Sequence, residues 1–411
     1  MRTVLVTGPG GAGRSTVAAA IALAAARRST RTLLLGADRG GSLQDALGRA
    51  VPVGPPAEIA PGLLAARLGS DQRFRDDLLA LQDRAGTALD MLGASRLDGD
   101  ELTPLPGAGE LALLRALRDA HTHGAELVVV DLPATPTALA TLALPEELRR
   151  YLRRLLPPER QAARALRPLL GKLAGVPMPA DWLYSTAARW DAELAAVETV
   201  LADPGTTVRL VAEPGPAGAE AVRTARTGLA LYGLRADALI ANRVLPGGGP
   251  DEEGPWFSRV AAQQEKTLAE WRAGELPLSE LRHLGHDPRG ADDLAELAAH
   301  AGGPGAAPHA AFAVPGAATA GPWRLTDRRA EEDPEGGTLV WHIPLPGATR
   351  DDLDLVRRGD ELVVTAGPFR RIVALPSVLR RCAVAGAGLR EGELLVRFVP
   401  DPTLWPREQP T

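Results

Sequence analysis

The sequence predicts an α/β fold, a mostly parallel sheet with helices on both faces and a helical insert, followed by a small C-terminal all-β sandwich. Three observations carry this prediction. Strand-like apolar runs alternate with helical patterns over the first three hundred residues, the order that builds parallel sheets covered on both sides. A glycine-rich loop, Gly8-Pro-Gly-Gly-Ala-Gly-Arg-Ser-Thr16, sits at the first strand-to-helix turn. Beyond a stretch rich in Gly, Ala and Pro at 302–322 the pattern changes to short strands separated by turn signals.

In chain order, Met1–Thr7 reads as a buried first strand, because its apolar residues are β-branched or Leu and lead straight into the glycine loop. Thr16 to Arg28 is Ala-rich and helical, and Thr32 to Gly36 reads as a second strand. Ala125 to Asp131 is a buried strand ending in a carboxylate. Later strands are expected at Thr207 to Ala212 and Ala236 to Asn242, with helices at 109–123, 216–232, 256–273 and 290–301. A helical insert of about 146–203 interrupts the alternation. Ligands of such sheets bind beyond the carboxyl ends of the strands, where the Gly8 loop, Asp38 and Asp131 would all lie. Residues 1–301 therefore form one expected domain, 302–334 a linker and 335–400 the sandwich, with 401–411 a tail. The sandwich strands are expected at Leu339–Ile343, Leu353–Leu355, Glu361–Thr365, Arg370–Leu375 and Leu394–Phe398.

The loop has a definite chemistry. In the phosphate-binding pattern G-x-x-x-x-G-K-[ST], glycines let successive backbone N–H groups turn towards phosphate oxygens, a Lys reaches the terminal phosphates, and a hydroxyl holds Mg²⁺. Gly8, Gly13 and Ser15 fit, Arg14 stands in the Lys position, and the following helix offers its N-terminus to an anion. Gly8, Gly10, Gly11, Ala12, Gly13, Arg14, Ser15 and Thr16 are thus candidate nucleotide-binding residues in a P-loop NTPase sheet. A plain glycine-rich turn is the competing reading. Four glycines at this spacing ahead of Arg-Ser-Thr leave it the weaker one.

Composition narrows the rest. The chain has 411 residues, 45% of them hydrophobic, enough for two or three cored domains. Lys172 and Lys266 are the only lysines, so nearly all positive charge is Arg, as in GC-rich coding. An Arg in a Lys position thus has a compositional origin open to it as well as a chemical one. A net charge of -5 with mixed signs gives no basic stripe, so no nucleic-acid partner is expected. The single Cys382 builds neither a disulfide framework nor a thiolate zinc site, so no zinc is expected. No apolar run reaches bilayer length and the N-terminus reads as strand and loop, so a cytoplasmic protein is expected.

Taken together these motifs resemble the ArsA-type ATPases, which include the arsenite-pump and tail-anchored-protein targeting ATPases. Their deviant loop reads G-K-G-G-V-G-K-[ST], against Gly8-Pro9-Gly10-Gly11-Ala12-Gly13-Arg14-Ser15 here. Their first switch, D-P-A-H, matches at Asp38, with Ser42-Leu43 following. Their second switch is similar to Asp131-Leu-Pro-Ala-Thr-Pro-Thr-Ala-Leu139 and Leu142-Ala-Leu-Pro145, and N-R-V-L-P is intact at Asn242–Pro246. Pro104-Leu-Pro-Gly107 with Glu110 also resembles the family. Pro344-Leu-Pro-Gly347 and Arg357-Arg-Gly-Asp-Glu-Leu-Val-Val364 resemble the α-crystallin-like domain that follows many bacterial members. The resemblance implies ATP and Mg²⁺ as cofactors. It implies that Gly8 to Ser15 wrap the phosphates, Ser15 coordinates Mg²⁺, Asp131 holds a metal-bound water, Asp38 orients the attacking water, Arg14 takes the catalytic lysine's place and Asn242 meets the adenine edge. Each residue also has a plain alternative: Asp131 ends a strand, Asp38 makes a turn, Asn242 ties down a loop.

Departures from the family pattern leave two readings. The family's lysine after the first glycine reaches the neighbouring subunit's nucleotide, and Pro9 brings neither charge nor N–H there. Arg14 keeps a charge on a bulkier planar fork. Pro136-Thr137 replaces the Gly-His pair of the second switch, a stiffer hinge. One reading is a slow or conventional Mg-ATPase, with Arg14 substituting for Lys and another cation replacing the one lost at Pro9, coupling nucleotide state to rearrangement of a homodimer, a heterodimer with an ArsA-like paralogue, or a hydrophobic client or membrane-protein partner. The other is a catalytically inactive pseudo-ATPase scaffold or chaperone-like binding protein acting through its insert and sandwich, paired with an intact paralogue that supplies catalysis. Neither a C-x-x-C clasp nor a Met-rich groove is present, since the methionines are Met1, Met91 and Met178. The apolar stripes of Arg73–Leu92 and Trp182–Leu201 have ordinary core spacing.

Overall fold

The computed structural model describes residues 1–38, 40–84, 86, 95, 97–103, 105–156, 180–246, 254–299, 301, 323–327 and 338–404. The centre of the expected insert, most of the expected linker, the second half of the Arg73–Leu92 stripe, Arg39, Met91, Pro104, Met178 and the end of the tail lie outside the described residues.

Strands β1 (Arg2–Thr7), β2 (Thr32–Gly36), β3 (Ala57–Ala60), β4 (Leu63–Arg67), β5 (Leu127–Asp131), β6 (Thr206–Ala212), β7 (Ala236–Val244) and β8 (Leu278–Arg282) form one sheet in the order β3-β4-β2-β5-β1-β6-β7-β8. Every neighbouring pair is parallel except β3 with β4. Central strands are apolar on both faces because both faces are covered: Val4 and Val6 belong to one core and Leu5 to the other. On the first face pack α1 (Arg14–Ala26), α2 (Ser42–Leu47) and α9 (Gly290–Ala299). On the other lie α4 (Ala108–Asp119), α5 (Thr135–Leu155), α7 (Pro216–Tyr232) and α8 (Gly254–Arg272). Helices α3 (Ser70–Arg84) and α6 (Ala180–Ala202) flank α4 and α5. Helix α1 is buried from Val17 to Leu23, which is why small Ala residues fill it.

A second unit of antiparallel strands follows. Strands β9 (Arg324–Asp327), β10 (Leu339–Pro344), β14 (Cys382–Arg390) and β15 (Glu393–Pro400) form the sheet β14-β15-β10-β9; β11 (Leu353–Arg358), β12 (Glu361–Ala366) and β13 (Phe369–Ala374) form the sheet β11-β12-β13, with the single turn α10 (Ser377–Arg380) leading into β14. Buried residues of this sandwich, including Trp341, Val364 and Phe369, join the same apolar core as Leu139 and Leu229 of the large domain.

The fold class is as the sequence predicts, with differences in detail. Strand β9 falls within the stretch expected as linker, held by pairing to β10 and by edge-on packing of Trp323 against Trp341 at 5.2 Å. The insert's first helix starts at Thr135, directly after the second-switch loop, because Pro136 occupies the helix's first turn, where its missing N–H costs nothing. Pro136 therefore opens a helix; it does not stiffen a loop.

Candidate functional site

The phosphate loop leaves β1 at Gly8, where a Cβ would collide with the Val211 carbonyl of β6, so only glycine permits that close approach. It enters α1 through Gly13, left-handed at φ 85°, with no side-chain cap and no acidic residue in the helix's first turn. The first-turn N–H groups of α1 are thus left for an anion, with the helix dipole behind them. Arg14 does not point freely into the loop: its guanidinium donates to the Leu132 carbonyl just beyond β5.

The two switch segments meet at Ser15. Its hydroxyl lies 3.0 Å from that of Ser42 at the start of α2, and Ser42 donates to Asp38 at 2.5 Å. Asp38 also accepts from the Gly40 N–H at 2.9 Å, the Asx-type turn that fixes its carboxylate. Asp131 is fully buried at the end of β5, and neither carboxylate oxygen has a hydrogen-bond partner. Burial pushes its carboxyl up to about 6, with the Asp38 charge adding to the effect and the Ser15 hydroxyl and Arg14 charge opposing it. An orphaned buried carboxylate beside a hydroxyl is a donor set suited to a hydrated divalent cation. On that observation Ser15 and Asp131 fit Mg²⁺.

Asn242 and Arg243 reach the loop together because β7 bulges against β8 between Ala241 and Val244. Successive strand side chains normally point to opposite faces; a bulge re-aims them. Asn242 donates to the Ala12 carbonyl at 2.8 Å and Arg243 to the Gly11 carbonyl at 3.1 Å, with Arg243 held at φ 56°. Such a non-glycine conformation costs about 1–3 kcal/mol and persists only where the surroundings impose it. The amide of Asn242 thus ties down the loop.

Gly11, Gly13, Arg14, Ser15, Thr16, Asp38 and Asn242 line one cavity of about 540 Å³; Gly8, Gly10, Ala12 and Asp131 are not part of its lining, Gly10 being exposed and Asp131 fully buried. Its far side is made by Arg243, by Arg282 at the end of β8 and by the segment that follows, notably His283, His286 and Arg289. The sequence reading missed that side. Its only signal was the Gly and Pro punctuation of Gly285-His-Asp-Pro288, which marks a loop but not its position.

Residues 1–300 match the anion-transporting ATPase family, and residues 336–398 match the HSP20-like domain found in ArsA. An uncharacterised Streptomyces coelicolor protein is 64% identical over 99% of this chain and 100% of its own length. A Mycobacterium tuberculosis protein is 32% identical over 98% of this chain and 97% of its own. An Aquifex aeolicus protein named "Putative arsenical pump-driving ATPase 1" is 24% identical over 96% and 99%.

Proposed function

The chain belongs to the anion-transporting, ArsA-type ATPase family with an HSP20-like C-terminal domain, and from that premise we propose that it binds Mg-ATP in the cavity beneath its phosphate loop and turns it over slowly. The observation that carries the reading is the buried, unpartnered Asp131 carboxylate beside Ser15 at the foot of that loop. Ser15 and Asp131 would hold the cation, which neutralises charge on the terminal phosphates. The loop N–H groups from Gly10 to Thr16 would hold the phosphates, Asn242 the adenine edge, and Asp38, positioned by Ser42, the attacking water. Slow turnover follows from the two replaced lysines. Pro9 supplies no cation, and Arg14 has one end of its guanidinium held by the Leu132 carbonyl, which limits how its fork can meet the phosphates. Loss of one positioned charge typically costs ~10³ in phosphoryl transfer. The commitment of Arg14 to Leu132 also favours the second reading, a pseudo-ATPase that binds without turnover. A dimer with itself or with an intact paralogue, and a hydrophobic client, are the partners this reading takes.

Calorimetric titration with Mg-ATP, with phosphate release followed in the same sample, decides between them. Saturable binding with slow release is expected. Absence of affinity in a folded sample would overturn the proposal, and Pro9→Lys with Arg14→Lys is expected to raise turnover; unchanged release would show that those positions do not limit it.

A pH dependence follows from Asp131. The cation needs the ionised carboxylate, so Mg-ATP affinity is expected to fall as pH drops through about 6. Ligand-free stability should move oppositely. A carboxyl whose folded pKa is raised contributes stability that is complete below its ordinary range and lost as pH rises through about 6. Melting curves with and without Mg-ATP across this range would show the two trends cross. Parallel trends would remove Asp131 from the cation site.

A further inference from the structure

The sandwich plays no part in that reading, yet it grips the helix that leaves the nucleotide site. Helix α5 is tied to the phosphate loop at its beginning: Thr135 N–H donates to the Gly8 carbonyl at 3.1 Å, Thr7 Oγ1 to the Pro133 carbonyl at 2.8 Å, and Arg14 to the Leu132 carbonyl. Farther along, the same helix is tied to the sandwich. Glu146 accepts from Arg371 Nε of β13 at 3.1 Å. Arg150 and Arg154, one turn apart, both reach Glu361 of β12, at 3.1 and 2.8 Å.

The grip extends to the neighbouring helix. Over Gly228 of α7 the side chains of Leu139 from α5 and Phe369 from β13 meet so closely that a Cβ there would stand 2.6 Å from each. Arg371 also donates to the Leu231 carbonyl at 2.8 Å and stacks over the Trp323 ring at 5.2 Å. On the other sheet's side, Thr227 of α7 donates to the Pro346 carbonyl at 2.8 Å, and Arg223 donates to that of Gly347. Apolar burial, charge pairs and the close contact over Gly228 therefore act on one pair of helices.

We propose that the sandwich domain is a clamp on α5 that opposes nucleotide-driven movement of the Leu132–Thr135 corner. The proposal rests on the reading that the cavity takes Mg-ATP. A phosphate in the loop competes with the Leu132 carbonyl for the Arg14 guanidinium, because charge-assisted pairs are the stronger ones. That gives the ligand-bound and ligand-free states different contacts at the start of α5, the requirement for any ligand-driven shift. The helix of 21 residues spans roughly 30 Å, and Pro145 interrupts its hydrogen bonding just before the Glu146–Arg154 half; Pro145 is buried, so a change at the first turn reaches that half through the packing around it. Coupling is reciprocal: a clamp that holds the ligand-free arrangement weakens ligand binding, and the ligand loosens the clamp by the same factor.

Two full-length variants test this. Arg371→Met removes the sandwich's bonds to Glu146 and to the Leu231 carbonyl while keeping the side chain's length, and Glu361→Gln removes the charge shared by Arg150 and Arg154 with little change of shape. In the absence of nucleotide, both are expected to exchange amide hydrogens faster than the parent at Leu132, Thr135 and the first turn of α5. With Mg-ATP, both are expected to bind roughly tenfold more tightly, and ligand should speed exchange at Glu361–Arg371 in the parent. Unchanged exchange at the start of α5 in the folded variants would overturn the clamp whether or not nucleotide binds. Faster exchange without any Mg-ATP affinity would instead keep the clamp and overturn the nucleotide reading. Equal affinity in all three proteins, with no ligand effect at Glu361–Arg371, would also overturn the clamp.

Discussion

Replacing Gly13 by alanine is expected to abolish Mg-ATP binding while leaving the two cores folded. Gly13 is left-handed, at φ 85°, where a Cβ costs about 1–2 kcal/mol against the following carbonyl. The larger effect is local. The new Cβ would collide with Nδ2 of Asn242, whose other contact is the Ala12 carbonyl, so the loop must open or the bulge in β7 must relax. Either movement separates Ser15 from Ser42 and displaces the N–H groups that would meet phosphate. Calorimetry should show no saturable binding, with a melting temperature close to the parent's. Affinity within severalfold of the parent's would mean that Asn242 and Gly13 do not set the loop's shape.

The largest effect on stability is expected at Asp237. Arg209 on β6 and Asp237 on β7 are an ion pair with both side chains 1% exposed. The carboxylate accepts from Arg209 Nε at 3.2 Å, from Nη2 at 3.0 Å and from Thr207 Oγ1 at 2.8 Å. Asp237→Ala removes the carboxylate from a buried ion pair, a loss that typically costs about 3–5 kcal/mol. Removing both charges together, as Arg209→Met with Asp237→Leu, is expected to recover most of that loss, since paired apolar replacements of similar volume are often neutral. Urea unfolding of the parent, the single variant and the double variant provides the comparison. A single variant within about 1 kcal/mol of the parent would show that the pair is not a determinant of the sheet.

Much of this architecture is legible in the residues. Helix α7 can be read to its ends because Pro216 and Gly233 are its natural start and stop, and β5 because four apolar residues run unbroken into Asp131. Strands β3, β4 and β8 are harder. They are short and lie towards the sheet's edges, and Leu278-Ser-Glu-Leu-Arg282 has neither an apolar run nor alternation. Strand β14 is built from Ala and Gly, with a β-bulge after Val384, so its side chains carry little strand signal. At the candidate site, the glycine loop, Ser15, Asp38, Asp131 and Asn242 could be singled out from motif and order. Arg243 shares the N-R-V-L-P motif with Asn242, but strand alternation sends it away from Asn242 and only a bulge returns it to the loop. The grip of Phe369 on Gly228 could not be singled out, being a contact between residues far apart in sequence whose separate patterns are those of an ordinary helix and an ordinary strand.

The shared core of the two units bears on how such chains can diverge. Phe369 fits over α7 only because residue 228 has no side chain, and Gly347 fits against Arg223 for the same reason. A C-terminal unit transplanted from a relative would bring its own Phe369 equivalent to a surface shaped for another. The two units are shaped to each other at positions 228, 347, 361 and 371, so exchanging the C-terminal unit alone is expected to lower stability unless those positions are exchanged with it.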